Sequence, residues 1–276
     1  MYYHVSMRTL PRHCLKVGLF VFFLCLLSCF NQKKIDAGDA AQPNHLPNPV
    51  VTRLSAALRN AELPETLVER ILAETPHFLA ELRVCLEGDR HLWELVDKQH
   101  SLAHDYIPPD LVPLADGSYR VNRAGLMLRN AAVVSLEEMA AAARADGVTL
   151  LASSAYRSYD YQEQVYNRLV RQMGQAAADR ESARPGHSQH QTGLALDFGS
   201  IDDSFAQTPA GRWMAANASR FGWSLSYPDG YEAVTGYRWE SWHYRYVGRN
   251  LAAFIDRYFG GIQQYALRFM YEYEKQ

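Results

Sequence analysis

His190 and Asp197 stand seven positions apart in GHSQHQTGLALDFGS (186–200), and Glu240 and His243 three apart in RWESWHYRYVG (238–248). Imidazole and carboxylate are the ligand types of a catalytic zinc ion, which takes three protein ligands and keeps a fourth position open. Asp197 is the informative member. Leu194, Leu196 and Phe198 share one face of a strand-like run while Ala195 and Asp197 share the other, because side chains alternate along a strand. An ionised carboxylate inside such a run needs a partner. A buried ion pair would serve, but the segment itself carries neither Arg nor Lys. A metal serves better, since His190 can return to the same point across a turn at Gly193. His243, in an aromatic strand, is the third candidate ligand. Glu240 would lie on the opposite face of a regular strand, so it is expected in the approach loop or at a bulge, free to handle a proton. Zinc held by His190, Asp197 and His243 beside a free carboxylate is a hydrolytic arrangement: the metal lowers the pKa of water and polarises a carbonyl, and the carboxylate shuttles the proton.

The other histidines of the ten show no such pattern. His13, His77, His91, His100 and His104 read as surface or core residues, and His187 as lining the site without binding metal.

Several elements must position these groups. VTLLASSAY reads as a strand, and Ser158 as the N-cap of a helix over YDYQEQVYNRLVRQM. GLALDFG and WHYRYVG are two more strands; a helix over 128–146 is stopped by Gly147, and another covers 210–221. Apolar residues recur at helical spacing from Val51 to about His100, and DYIPPDLVPLADGSYRV is an extended, Pro-rich connection. The tail from Asn250 reads as two short helices separated by Gly260 and Gly261. Strands and helices alternate without a regular βαβ repeat, so an α+β fold is expected.

With 276 residues, the chain can build one well-cored domain and a smaller helical piece. A net charge of −2 and only five lysines argue against a nucleic-acid partner. At the N-terminus a basic leader (Arg8, Arg12, Lys16) precedes the uncharged run Val17–Cys29, which is short for a bilayer span and shaped like a signal peptide. The run ends in Leu26-Leu27-Ser28-Cys29, which resembles a bacterial lipobox. That resemblance implies a signal peptide over 1–29 that ends in the lipobox, cleavage just before Cys29, lipidation of Cys29 as the new first residue, and an exported, membrane-anchored lipoprotein facing the periplasm or cell wall. A secreted soluble protein and an uncleaved anchor are the other readings. Residues 30–50 are polar and aperiodic and read as a linker. Of the four cysteines only Cys85 falls in the folded part, so no internal disulfide is expected.

Taken together, Ser188-x-His190-x2-Gly193-x-Ala195-x-Asp197 and Glu240-x2-His243 resemble the paired signature of the LAS metallopeptidases, a group that includes the D-Ala-D-Ala peptidases and the hedgehog signalling domain. Within the group, SAYRSYDYQ, PGHSQHQTGLALDFG and ESWHYRYVG resemble the VanY-type D-alanyl-D-alanine carboxypeptidases, over about residues 95–250. The resemblance implies a hedgehog/D,D-peptidase-like fold, with a small antiparallel sheet carrying the zinc site and flanked by helices. It covers a zinc peptidase domain (95–250) and leaves outside it the helical segment (51–94) and the C-terminal helical tail (251–276), whose roles stay open. It further implies Zn2+ on His190, Asp197 and His243, with Glu240 as general base and then acid. Arg157 would stabilise the oxyanion and hold the substrate carbonyl, a structural salt bridge being the alternative. Gln162 and Ser188 would contact the peptide, and Trp242 would be either core or substrate wall. The implied partner is the peptidoglycan stem peptide, and the implied reaction removes its terminal D-alanine. An L,D-carboxypeptidase, a D,D-dipeptidase or an endopeptidase would share the zinc constellation, and a non-catalytic wall-binding lipoprotein would keep the fold without turnover. The Ser-x2-Lys and Lys-Thr-Gly motifs of serine D,D-peptidases and the HExxH of other zinc proteases do not occur.

Overall fold

The computed structural model describes residues 49–276. The leader, Cys29 and all but the end of the linker lie outside the described residues. Among the described residues no helix is long and apolar enough to cross a membrane.

Three helices open the chain: α1 (Pro49–Asn60), α2 (Glu65–Ala73) and α3 (Thr75–Leu86). Helical periodicity stops at Leu86 rather than near 94, and a 3₁₀ turn (Arg90–Trp93) leads into an irregular stretch. Next come β1 (Leu111–Pro113), β2 (Arg120–Val121), β3 (Met127–Arg129) and α4 (Asn130–Ala145), then β4 (Leu151–Ser154), α5 (Tyr159–Met173) and α6 (Gln175–Glu181). After a second 3₁₀ turn (Gln189–Thr192) follow β5 (Ala195–Phe198), α7 (Pro209–Asn217), β6 (Trp223–Leu225), the single-turn α8 (Glu232–Thr235), β7 (His243–Tyr246), α9 (Arg249–Tyr258) and α10 (Gln263–Glu274). The expected N-cap is present: Ser158 Oγ accepts from the Tyr161 amide at 3.2 Å.

The main sheet has the order β2-β4-β5-β7-β6. Its central pairs are antiparallel as expected, but the edge pair β2–β4 is parallel, and β1 and β3 form a separate antiparallel ribbon. Strands of two or three residues such as β1, β2 and β6 carry too few positions to show a period of two. Register decides what the sheet can do. Asp197 on β5 lies directly opposite His243 on β7 and, on its other side, opposite Ser154 on β4.

Alternation divides the sheet's faces. Leu196 and Phe198 are buried in one core with Leu136 and Met139 of α4, Met214 of α7, and Trp223 and Tyr244. A second core joins α1, α2 and α3 to α9 and α10, with Leu54, Ile71, Phe78, Phe254 and Phe269 at its centre. On α9 the buried residues Leu251, Ala252, Phe254, Ile255 and Tyr258 recur at helical spacing and form one apolar stripe. The helices preceding and following the expected peptidase segment therefore make one layer, and the described residues 49–276 form one compact unit. The sequence boundaries at 94 and 250 mark segments of chain, not separately packed bodies.

Candidate metal centre

The site forms where β4, β5 and β7 run side by side and the 3₁₀ turn before β5 folds over them. That turn begins at Ser188, whose Oγ accepts from the His190 amide at 3.3 Å. It ends at Gly193 with φ of 69°, where an added Cβ would stand 2.8 Å from Leu111 and 3.0 Å from Arg129. Only glycine takes this left-handed position without strain and leaves room for those neighbours, so Gly193 returns the chain into β5 with His190 above Asp197.

The candidate ligands come together. One donor atom from each of His190, Asp197 and His243 lies within 4.8 Å of the others. Asp197 Oδ2 is 3.3 Å from His190 Nε2, and Asp197 Oδ1 is 3.1 Å from His243 Nδ1. Ligand atoms on a tetrahedral zinc at about 2.1 Å stand about 3.4 Å apart, close to these separations. All three side chains are at least nine-tenths buried, and among the described residues His190 Nε2 and Asp197 Oδ1 have no hydrogen-bond partner. Orphaned acceptors at full burial are costly, and a cation resolves both. His190 Nδ1 is 2.8 Å from the Ala155 carbonyl, which can only accept, so that nitrogen carries the proton and Nε2 presents its lone pair to the cluster.

Electrostatics agree. Burial first, and the Arg157 charge second, push His190 down to about 4, keeping it neutral as a ligand must be. Burial alone would raise Asp197, but the two histidines hold it well below the usual carboxylate range. Burial would also lower His243, yet the Asp197 and Glu240 carboxylates beside it lift it to about 9.

Glu240 sits in the turn before β7, where the His243 amide donates to the Glu240 carbonyl at 3.3 Å, and this bend turns both side chains to one side. Its Oε2 is 3.4 Å from His243 Nδ1, and burial raises its pKa above the ordinary carboxylate value. Arg157 lies across the cluster. Its Nε donates to Ser154 Oγ at 3.2 Å, Nη1 to Gln162 Oε1 at 3.0 Å and Nη2 to Asp197 Oδ2 at 3.2 Å. It is thus an ion-pair partner of Asp197 and also a wall of the groove.

That groove is a cavity of about 470 Å³ lined by His190, Asp197, His243, Glu240, Arg157, Ser188 and Trp242. Trp242 combines both expected roles, being buried in the sheet core and bordering the groove. Gln162 departs from expectation. It is 1% exposed, and its amide is taken by Arg157, Ser182 Oγ and the Ala183 carbonyl, so it braces the guanidinium and does not open onto the groove. His187 stays outside the cluster, with Nδ1 2.7 Å from the Asp97 carbonyl.

Several lining residues were not foreseen. Ser154 became visible only through its register opposite Asp197. Tyr227 packs its ring 4.8 Å from that of His243. Arg123 and Arg168 are exposed on the groove, and neither has a carboxylate within ion-pair distance among the described residues. Together with Arg157 they hold the Tyr161 hydroxyl below its ordinary pKa, the hydrogen bond from Arg123 contributing most. This wall suits an anionic ligand.

The family model described as VanY: D-alanyl-D-alanine carboxypeptidase matches residues 125–249, which include Arg157, His190, Asp197, Glu240 and His243. YodJ of Bacillus subtilis (strain 168) is 36% identical over 178 residues, 62% of this chain and 65% of its own. The D-alanyl-D-alanine carboxypeptidase of Enterococcus faecalis (strain ATCC 700802 / V583) is 32% identical over 180 residues, 61% of this chain and 64% of its own. The chain thus spans slightly less than two thirds of these curated relatives. Among solved structures, the LdcB LD-carboxypeptidase is 34% identical with a TM-score of 0.55, the match covering 61% of this chain and 85% of LdcB. A mutant of the vancomycin resistance D,D-pentapeptidase VanY from a VanB-type cassette, in complex with Zn(II), is 32% identical with a TM-score of 0.52, covering 62% of this chain and 96% of that one. The chain belongs to the VanY D-alanyl-D-alanine carboxypeptidase family.

Proposed function

We propose that this protein is a zinc-dependent D,D-carboxypeptidase that removes the terminal D-alanine from peptidoglycan stem peptides. The observation that carries the reading is the buried His190–Asp197–His243 cluster, with its orphaned acceptors, opening onto a groove beside Glu240 and Arg157. Zinc would be held by His190 Nε2, an Asp197 oxygen and His243 Nδ1; when bound, it supplies Lewis-acid polarisation of the scissile carbonyl and a water of lowered pKa. The protein's own groups do the rest. Glu240 takes the proton of the attacking water and returns it to the leaving amine, and its raised pKa brings it nearer the working range for both transfers. Arg157, held by Ser154, Gln162 and Asp197, presents a pre-oriented guanidinium to the carbonyl oxygen as negative charge develops. Ser188 and Trp242 border the bound peptide.

The same reading places the enzyme outside the cytoplasm, tethered through lipid on Cys29, where such peptides occur. Cys29→Ala is expected to move the protein from the membrane to the soluble fraction.

Likeness to LdcB favours one alternative, an L,D-carboxypeptidase that trims tetrapeptides. Defined penta- and tetrapeptide substrates, with products weighed by mass spectrometry, separate the two. Purified protein is expected to hold one zinc and to shorten the pentapeptide by one residue. Glu240→Gln should keep the zinc and lose roughly 100- to 10,000-fold in kcat. A zinc-free active protein, or a fully active Glu240→Gln, would refute the mechanism.

A further inference from the structure

Behind His243 lies a chain of buried amides that no ligand or catalytic role uses. His243 Nε2 is 3.3 Å from Gln189 Oε1, which also accepts from Ser226 Oγ at 2.7 Å. Gln189 Nε2 donates to Gln263 Oε1 at 3.2 Å, and Gln263 Nε2 donates to the Ser224 carbonyl at 3.1 Å. Gln189, Ser226 and Gln263 are 2%, 2% and 1% exposed, so water cannot substitute for these partners. The chain has one polarity. The Ser224 carbonyl can only accept, so Gln263 must turn its NH2 toward it and its Oε1 toward Gln189. Gln189 must then turn its NH2 toward Gln263 and its oxygen toward Ser226 and His243. Facing an acceptor, Nε2 of neutral His243 carries the proton, and the lone pair falls on Nδ1, the nitrogen beside Asp197 and Glu240.

Gln263 is the first residue of α10, beyond the segment that matches the family and part of the helical layer. Its neighbour Gln264 braces the same loop by a second route: Nε2 donates to Asp97 Oδ2 at 2.7 Å, and the Asp97 carbonyl is 2.7 Å from His187 Nδ1. We propose that Gln263 is a positioning residue, which acts through Gln189 to set the tautomer and ring orientation of His243 and so makes zinc affinity depend on the C-terminal helix. The proposal rests on the reading of His243 as a zinc ligand.

Zinc affinity of the folded full-length protein, by competition with a chromophoric chelator, tests it. Gln263→Met keeps the length and volume of the side chain and removes its hydrogen bonds with Gln189, Ser226 and Ser224, and it should weaken zinc binding roughly 10- to 100-fold. Gln263→Glu keeps an acceptor for Gln189 and should recover part of that loss. Leu267→Ala, in the buried core of the same helix, should lower Tm and leave affinity unchanged. The cobalt-substituted Gln263→Met protein should show a shifted visible spectrum, reporting altered ligand geometry. Wild-type affinity in Gln263→Met, or equal losses in Gln263→Met and Leu267→Ala, overturns the proposal. A wild-type protein that binds no zinc overturns the ligand reading first, and this inference with it.

Discussion

Phe78→Ala tests whether the helical layer and the sheet that carries the site behave as one folded unit. Phe78 is fully buried on α3, with its ring centroid 4.9 Å from Phe254, 4.9 Å from Tyr258, 6.3 Å from Phe259 and 5.3 Å from Phe269. It is the only one of the five rings contributed by the helices before the sheet, so its removal opens a cavity between α3 and both α9 and α10. Truncating a buried phenylalanine costs about 3–5 kcal/mol, the spread reflecting how far the neighbours close in. For a unit of this size, 1 kcal/mol shifts Tm by about 2–4 °C, so a fall of roughly 6–20 °C is expected. The two cores are tied through buried polar contacts: Gln263 to Ser224, Gln264 to Asp97, and Arg245 of β7 to the His91 and Leu92 carbonyls. The loss should therefore appear in a single transition, seen alike by far-UV circular dichroism, calorimetry and decay of peptidase activity. Below that transition, where Gln263 stays in place, zinc content and kcat should match the wild type. A shift under 2 °C would refute the packing argument. A separate low-temperature transition that leaves activity intact would refute the coupling of the layers.

Two further outcomes follow from charge. Arg123→Glu and Arg168→Glu should each raise KM for an acidic stem peptide roughly 2- to 10-fold with kcat unchanged, and less so at high salt or for an amidated peptide; an equal effect on both peptides would show that the arginines do not read carboxylates. Asp179 is held down from 3.8 to about 2, chiefly by its hydrogen bonds with Arg184, and it also accepts from Tyr166. Because its folded pKa is depressed, its contribution is complete above its unfolded value and fades as pH falls from about 4 toward 2. Urea titrations of wild type and Asp179→Asn should therefore converge in stability across that window, and a gap that stays constant or widens would contradict the assignment.

Much of the chemistry was legible along the chain. Asp197 declared itself as a charge inside an apolar alternation, and Gly193 marked the turn that brings His190 back over it. The odd spacing between Glu240 and His243 correctly excluded a shared regular strand and pointed to the bend that is found. Helices with a clear stripe, such as α5 and α9, and strands with a buried face, such as β5, follow from local periodicity. The parallel edge strand was hidden, because two residues carry no period.

What the sequence by itself determined is the kit: candidate ligand types, their order, a carboxylate three residues before His243, and the turns and strands that could bring them together. Register belongs to the tertiary structure alone, since which residue of β4 or β7 faces Asp197 depends on pairing between segments far apart in the chain. The same holds for Gln162, whose amide direction is settled by Ser182 and Ala183, and for the relay from Gln263. An amide or imidazole has two nearly equivalent ends, and no local pattern chooses between them. A buried carbonyl that can only accept makes that choice, and the fold decides where such a carbonyl lies.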